Sequence, residues 1–140
     1  MPNFSGSFVG RANAQAAMAL KDAPNHELGL VAISGPQTVS DPLWNGATVS
    51  YWGMADLVSG SGSQKGYFIN QHANGDTDQG TFEGTITTAG GAVTLGGAWK
   101  YSGGTGAFTG LTGGGTYNGR MTSPTEVDMR WEGSYQLGQK

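Results

Sequence analysis

The chain contains no cysteine, few prolines and few charged residues. Charged residues make up 12% of its 140 positions, about half the usual share. The seven lysines and arginines are scattered and the net charge is −3, so the basic face that nucleic acid demands is missing. No stretch approaches the roughly 18 apolar residues of a membrane-spanning helix, and the N-terminus lacks the segments of a signal peptide. We therefore expect no nucleic-acid partner, no membrane partner and a cytoplasmic location.

Glycine, by contrast, is abundant, with 26 residues. Because glycine costs about 1 kcal/mol relative to alanine at each helix-interior position, this content argues against a helical bundle. Hydrophobic residues still make up 36% of the chain and include four Trp, five Tyr and five Phe, enough for a core without disulfides or a metal. The sequence therefore predicts a single all-β domain over residues 1–140.

Regularly spaced strands, separated by Gly, Ser, Asn and Asp turns, follow one another as in a meander. Residues 27–34 form an apolar run typical of a strand buried on both faces, and residues 11–20 are a strand or an arm, with a short helix as the alternative. Residues 1–13 are left open as an N-terminal arm, and 35–46 are a long loop whose Trp44 plugs one end. Eight strands close into a small antiparallel up-and-down β-barrel. The later strands are predicted at 47–58, 66–73, 80–88, 93–101, 113–121 and 125–137.

The turn after residue 73 decides which side chains of its hairpin face inward. If Ala73 pairs with Gly80, Tyr67 lies on an apolar face, which we predict to be the lumen. The opposite face then carries polar side chains in the alternation typical of solvent exposure. His72 lies on that face near Glu83, so a functional histidine is the alternative to an ordinary surface one.

Two further turns give the same face. We expect Thr88 to pair with Val93 and Met121 with Thr125, which places a glycine opposite Trp131, where it leaves room for the ring. The face is taken as the lumen, with the outer wall of an oligomer as the alternative. From these later strands it contains Phe82, Ile86, Leu95, Trp99, Tyr101, Tyr117, Val127, Met129 and Trp131.

The strand at 47–58 allows two registers. One faces Tyr51 inward, and the other faces Trp52 and Asp56 inward. Because burial raises the pKa of a carboxyl group, the second register makes Asp56 a plausible general acid or base, and we predict Asp56 and Tyr101 as the catalytic residues. Metal, nucleotide and nucleophile motifs are missing, so no metal and no cofactor are expected. The predicted ligand-binding residues are Trp52, Tyr67, Phe82, Trp99, Tyr117 and Trp131.

Residues 101–110, Tyr-Ser-Gly-Gly-Thr-Gly-Ala-Phe-Thr-Gly, resemble the G-G-[ST]-G-x-[FY]-x-G element shared by plant allene oxide cyclases and dirigent proteins. The likeness covers residues 66–137. It implies a barrel of the allene oxide cyclase type that forms a homodimer or homotrimer, binds a hydrophobic small molecule in its lumen and is capped by Phe108. The cyclases place a carboxylate on the first barrel strand, where this chain has only Glu27 at the edge, and Asp56 is the stand-in for the lumen aspartates of dirigent proteins.

The sequence supports three hypotheses about function. The protein is a cofactor-free isomerase, cyclase or lyase that orients a hydrophobic or aromatic substrate in the lumen. Alternatively, it is a non-catalytic carrier of such a ligand, or a structural homo-oligomeric barrel with a filled lumen. Glycines within strands, such as Gly97 and Gly133, argue against a filled lumen unless aromatic rings occupy the gaps they leave.

Overall fold

The computed structural model describes residues 3–138, which form eight antiparallel strands that close into a barrel in chain order. It confirms the predicted all-β, eight-stranded, up-and-down barrel. The strands are β1 (Asn3–Ala19), β2 (His26–Val39), β3 (Thr48–Val58), β4 (Ser61–Gln71), β5 (Thr77–Ala89), β6 (Ala92–Gly104), β7 (Thr112–Ser123) and β8 (Glu126–Gln136). Short 3-10 helices at Pro42–Trp44 and Gly106–Phe108 lie in two of the connections.

One end of the barrel, the turn end, holds the connections β1–β2, β3–β4, β5–β6 and β7–β8. Thr88 pairs with Val93 as predicted, which leaves Gly90 and Gly91 at the tip of the β5–β6 hairpin. Both glycines have positive φ, +57° and +81°, a conformation that glycine adopts without steric cost. The glycine pair therefore fixes this turn and, with it, the register of β5 against β6.

The opposite end, the plugged end, is closed by two aromatic side chains. Trp44 and Phe108 pack against each other with ring centroids 5.1 Å apart, and both are buried. The carboxylate of Asp41 caps the first 3-10 helix by accepting a hydrogen bond from the Leu43 N–H. The predicted plug by Trp44 and cap by Phe108 are confirmed in position.

Aromatic rings occupy the spaces that inward-facing glycines leave. A Cβ on Gly6 would lie 2.3 Å from the Trp131 ring, and one on Gly133 would lie 2.7 Å from the Trp99 ring. Such distances leave no room for a side chain at either glycine. Tryptophan rings thus fill the gaps at these two glycines, whereas a Cβ on Gly97 would meet the backbone of Glu83 instead.

The register of β4 against β5 differs from the prediction. Gln71 pairs with Thr77, whereas the predicted pair was Ala73 with Gly80. The two registers differ by an odd number of residues, and an odd shift moves every side chain of a strand to the other face. Tyr67 therefore points outward and is 63% exposed, so its predicted place in the lumen is wrong.

The same shift turns polar residues of β4 inward. Phe68 takes the lumen position that was predicted for its neighbour, and Asn70 and His72 are buried rather than solvent-exposed. Glu83 stays on the outer face, where it pairs with Lys65. The predicted alternative of His72 acting beside Glu83 is therefore wrong.

The register of β7 against β8 keeps the predicted face but changes the partners. Tyr117 pairs with Trp131, and Gly115 pairs with Gly133, whereas Gly115 was the glycine predicted opposite Trp131. The observed register differs from the predicted one by two residues, and a β-bulge lies between Met121 and Ser123 near the turn. Because an even shift does not change the face, the inward side chains of β8 are those predicted.

The first two strands are longer than predicted. Of the segment 1–13, left open as an arm, residues 3–13 belong to the barrel wall and residues 1–2 lie outside the described residues. The segment predicted at 11–20 is strand up to Ala19, so the helix alternative is wrong. The predicted loop at 35–46 is shorter, because β2 continues to Val39. Pro36 favours a loop, but β2 pairs with both β1 and β3 in this segment, and this pairing keeps the chain extended.

The outer surface of β1–β4 carries large apolar side chains, which we call the apolar outer face. Facing pairs of residues build it, with Met18 opposite Leu28, Leu30 opposite Met54 and Trp52 opposite Tyr67. Leu30 is 57% exposed and Trp52 49% exposed. The prediction that residues 27–34 are buried on both faces is therefore wrong for the single chain. The face consists of Met18, Leu28, Leu30, Trp52, Met54 and Tyr67.

Candidate functional site

The candidate site is a cavity of about 80 Å³ in the barrel lumen. Aromatic rings from most strands pack around it, edge to face, with Tyr51 and Phe82 at 5.5 Å and Trp99 and Trp131 at 5.6 Å between ring centroids. Among residues 3–138, no charged side chain and no histidine lines it. The cavity is lined by Phe8, Gln37, Val49, Tyr51, Gln64, Phe68, Asn70, Phe82, Leu95, Trp99, Tyr101, Tyr117, Met129 and Trp131.

Most of the predicted lumen residues do line this cavity. The structure brings together Phe82, Trp99, Tyr101, Tyr117 and Trp131. Their location is confirmed, while their roles in binding or catalysis stay predictions. These positions were predictable because the Gly90–Gly91 turn fixes the register of β5 against β6, and because β8 keeps the inner face that was predicted for it.

Asp56 and Trp52 lie outside the lumen, so their predicted placement is wrong. The structure adopts the other register of β3, in which Tyr51 faces inward. The Asp56 side chain is 55% exposed, and its Oδ1 lies 2.5 Å from Nε2 of His26. A carboxylate in this position cannot act as an acid or base on a molecule inside the barrel.

His26 joins two carboxylates at the turn end. Its Nδ1 lies 2.6 Å from Oδ1 of Asp22, and its Nε2 contacts Asp56. Hydrogen bonds with Asp22 and then Asp56 favour the protonated imidazole and raise the pKa of His26. This contact ties the β1–β2 connection to β3 on the outside of the barrel.

Amide side chains in the lumen form a hydrogen-bonded chain that the sequence did not reveal. The Trp131 Nε1–H donates to Oε1 of Gln37 at 3.1 Å, and Nε2 of Gln37 donates to Oδ1 of Asn70 at 3.0 Å. Separately, Nε2 of Gln64 donates to the Tyr117 hydroxyl at 2.7 Å. The only sequence signal for these amides is that polar residues alternate with apolar ones in β2 and β4. That pattern predicts surface residues as readily as buried ones.

A buried carboxyl group stands between the lumen and the plugged end. Asp78 is fully buried and its Oδ2 accepts from the Trp44 Nε1–H at 2.9 Å, while its Oδ1 accepts from Nδ2 of Asn70 at 2.8 Å. Nε2 of His72 lies 2.6 Å from the same Oδ2. Burial raises the pKa of Asp78 even though these donors oppose the change. The network holds the Trp44 plug in place.

The tyrosine hydroxyls of the lumen keep their protons. Burial raises the pKa of Tyr101 well above its ordinary value, and burial likewise raises the pKa of Tyr51. Each is therefore a neutral hydrogen-bond donor at physiological pH. The predicted role of Tyr101 as a proton shuttle stays untested, but a raised pKa makes the phenol a weaker acid.

Within residues 3–138, no group of three His, Cys, Asp or Glu side chains is placed to hold a metal ion. None of the helices in that range has the length and apolar character to cross a membrane. No protein-family model matches the chain, and no curated protein matches it. The resemblance of residues 101–110 to allene oxide cyclases and dirigent proteins therefore stays a prediction.

Proposed function

We propose that the barrel is a ligand-binding protein that holds one small, uncharged, apolar molecule in its lumen. The observation that carries the proposal is the cavity itself, which is lined by aromatic, aliphatic and amide side chains, with no charged residue from 3–138 among them. Sites of this composition, apolar with a few convergent polar groups, are the usual form of small-molecule pockets. The volume of about 80 Å³ lies below the roughly 300–1,000 Å³ of typical pockets, so the ligand is small.

Binding without catalysis is favoured over the isomerase, cyclase or lyase hypothesis by the placement of the ionisable groups. Acid–base catalysis needs a group that exchanges protons within hydrogen-bond reach of the substrate. Asp56, the predicted acid or base, lies on the outer surface, and the lumen offers phenols whose pKa is raised. A ligand is therefore held by shape and hydrogen bonds, as in a carrier.

The proposal is tested by titrating the protein with cyclopentane and following the indole N–H signals of Trp99 and Trp131 by NMR. We expect saturable shifts in the native protein and none in Leu95→Trp, whose larger side chain fills the cavity. Thr94→Trp is the matched control, because the neighbouring residue points outward and should leave binding unchanged. Absence of saturable shifts in the native protein would overturn the proposal.

We also propose that a second copy of the chain covers the apolar outer face. Exposed apolar patches of this kind are rare on monomers and mark interaction sites, and exposed Trp and Tyr side chains are typical interface anchors. The charged residues of β3 and β4 are one acid, Asp56, and one base, Lys65, so a second copy meets no net repulsion there. Next to the apolar outer face, β1 pairs with β8 only as far as Arg11. Within the described part of the chain, residues 13–19 of β1 therefore have β2 as their one strand neighbour.

Sedimentation analysis of the native protein and of Leu30→Lys tests this second proposal. We expect an oligomer that Leu30→Lys converts to monomer, because a buried unpaired charge opposes association. Thr85→Lys, on the exposed outer surface of β5, is the matched control and should leave the oligomer intact. A native protein that is monomeric at its highest soluble concentration contradicts the proposal.

A further inference from the structure

Two tyrosine hydroxyls in the lumen make no hydrogen bond to the described part of the chain. Tyr51 and Tyr101 both line the cavity, and neither hydroxyl is within hydrogen-bond distance and geometry of a partner in residues 3–138. The other tyrosines of the interior differ, because Tyr117 accepts from Gln64 and Tyr135 donates to Asp41. Among the buried tyrosines of residues 3–138, unbonded hydroxyls are thus confined to the cavity wall.

These hydroxyls reach open space rather than being sealed in the core. Within residues 3–138, every fully buried side-chain nitrogen or oxygen has a hydrogen-bond partner. The hydroxyl oxygens of Tyr51 and Tyr101 have none, so these atoms are not fully buried. Both residues are more than nine-tenths buried, at 8% and 5% exposure. Because both residues line the cavity, we infer that their hydroxyls reach it.

The chemistry of these groups restricts what the cavity takes. A phenol inside an apolar cavity gains most from an oxygen that accepts a hydrogen bond from its hydroxyl, because an unpaired donor in such a place costs free energy. The described part of the chain supplies no cation to the lining that could pair with an anion, and the amides of Gln37 and Asn70 already bond to neighbours. An uncharged carbonyl or ether oxygen on a small apolar body meets these requirements.

We propose that Tyr51 and Tyr101 are the ligand-orienting donors of the lumen and that its ligand is a small uncharged ketone, aldehyde or ether. This inference rests on the proposed ligand-binding function and specifies the class of ligand. Both phenols stay protonated across the physiological range, so recognition does not depend on pH there. The rings of Trp99 and Trp131 surround the apolar body of the ligand.

The test compares two probes of the same shape, cyclopentanone and methylenecyclopentane, which differ in a carbonyl oxygen against a CH2 group. In an NMR titration of the native protein, both probes should give saturable shifts. Because one neutral hydrogen bond changes affinity by about 2- to 10-fold, Tyr51→Phe and Tyr101→Phe should each weaken cyclopentanone binding by that factor. Neither variant should weaken binding of methylenecyclopentane.

Tyr67→Phe is the matched control, since it removes the same hydroxyl from the outer surface and should change neither affinity. Unchanged cyclopentanone affinity in both Tyr51→Phe and Tyr101→Phe overturns the inference and leaves the proposed binding function standing. If neither probe binds, both proposals fail. A loss of affinity in Tyr67→Phe equal to that in the lumen variants also overturns the inference.

Discussion

Removing the carboxyl group of Asp78 tests how the plugged end of the barrel is held closed. The two carboxylate oxygens take hydrogen bonds from Trp44 and Asn70 and contact a nitrogen of His72, all in a buried site. Asp78→Ala leaves three polar groups without this partner. Each unsatisfied buried group costs about 1–3 kcal/mol, so we expect a loss of about 3 kcal/mol or more in the free energy of unfolding.

Asp78→Asn separates the shared acceptor from the size of the side chain. Its amide oxygen keeps the contacts of Oδ2 with Trp44 and His72, while its NH2 group faces the NH2 group of Asn70. One lost hydrogen bond predicts a cost of about 1–2 kcal/mol. The assay is urea unfolding followed by tryptophan fluorescence, with midpoints compared at constant slope.

Asp128→Ala is the control, because Asp128 faces outward on β8 and should change stability by less than about 0.5 kcal/mol. A loss in Asp78→Ala no larger than in Asp128→Ala would refute the argument. So would equal losses in Asp78→Ala and Asp78→Asn, since those would assign the effect to charge alone. If Asp78→Ala does not fold, the smaller loss in Asp78→Asn still decides between these outcomes.

The same residue gives stability a definite dependence on pH. Because burial raises the pKa of Asp78 above its ordinary 3.8, the folded protein holds this proton more tightly than the unfolded chain does. The stabilisation that comes from this tighter proton binding is therefore fully present below pH 3.8. It is lost as pH rises through the pKa of Asp78 in the folded protein. Unfolding midpoints of the native protein, compared with Asp78→Asn across this range, should fall with rising pH.

Two other substitutions test packing and charge. Gly6→Ala places a methyl group 2.3 Å from an indole carbon of Trp131 on the neighbouring strand β8 and should cost about 1–3 kcal/mol by urea unfolding, whereas Gly29→Ala, whose nearest neighbour is 3.9 Å away, should cost less. Equal losses would contradict the packing argument. Hydrogen bonds to two carboxylates raise the pKa of His26 above 6.5. The stabilisation of the folded protein by this histidine is therefore fully present below pH 6.5 and is lost as pH rises through the pKa of His26 in the folded protein. His26→Gln should remove this dependence, and a midpoint that rises with pH in the native protein would refute it.

The sequence predicted the fold well because its turns carry strong local signals. The Gly90–Gly91 pair sets one register, and the alternation around Phe82, between Thr81 and Glu83, identifies the inner face of β5. Such strands have a polar outer surface, so only one register buries the apolar residues. The lumen residues of β5–β8 were predictable for that reason.

The candidate site was predicted less well, because its polar members depend on pairing over longer distances. Gln37 lies in a segment predicted as loop, and Asn70 lies on a strand whose register was wrong. Nothing local distinguishes such an amide from a surface one. The role of Asp78 depends on Trp44, which comes from a separate connection at the plugged end.

The wrong assignments are concentrated in the strands that build the apolar outer face. In β3, Tyr51 and Trp52 are adjacent, and in β4, Tyr67 and Phe68 are adjacent, so either register buries an aromatic ring and alternation cannot choose. Adjacent aromatic residues on opposite faces are typical of a sheet covered on both sides. A second copy on the apolar outer face would supply that missing cover. The run at 27–34, typical of a strand buried on both faces, would then be buried as its sequence predicts, and Leu30→Lys should break the assembly without unfolding the barrel.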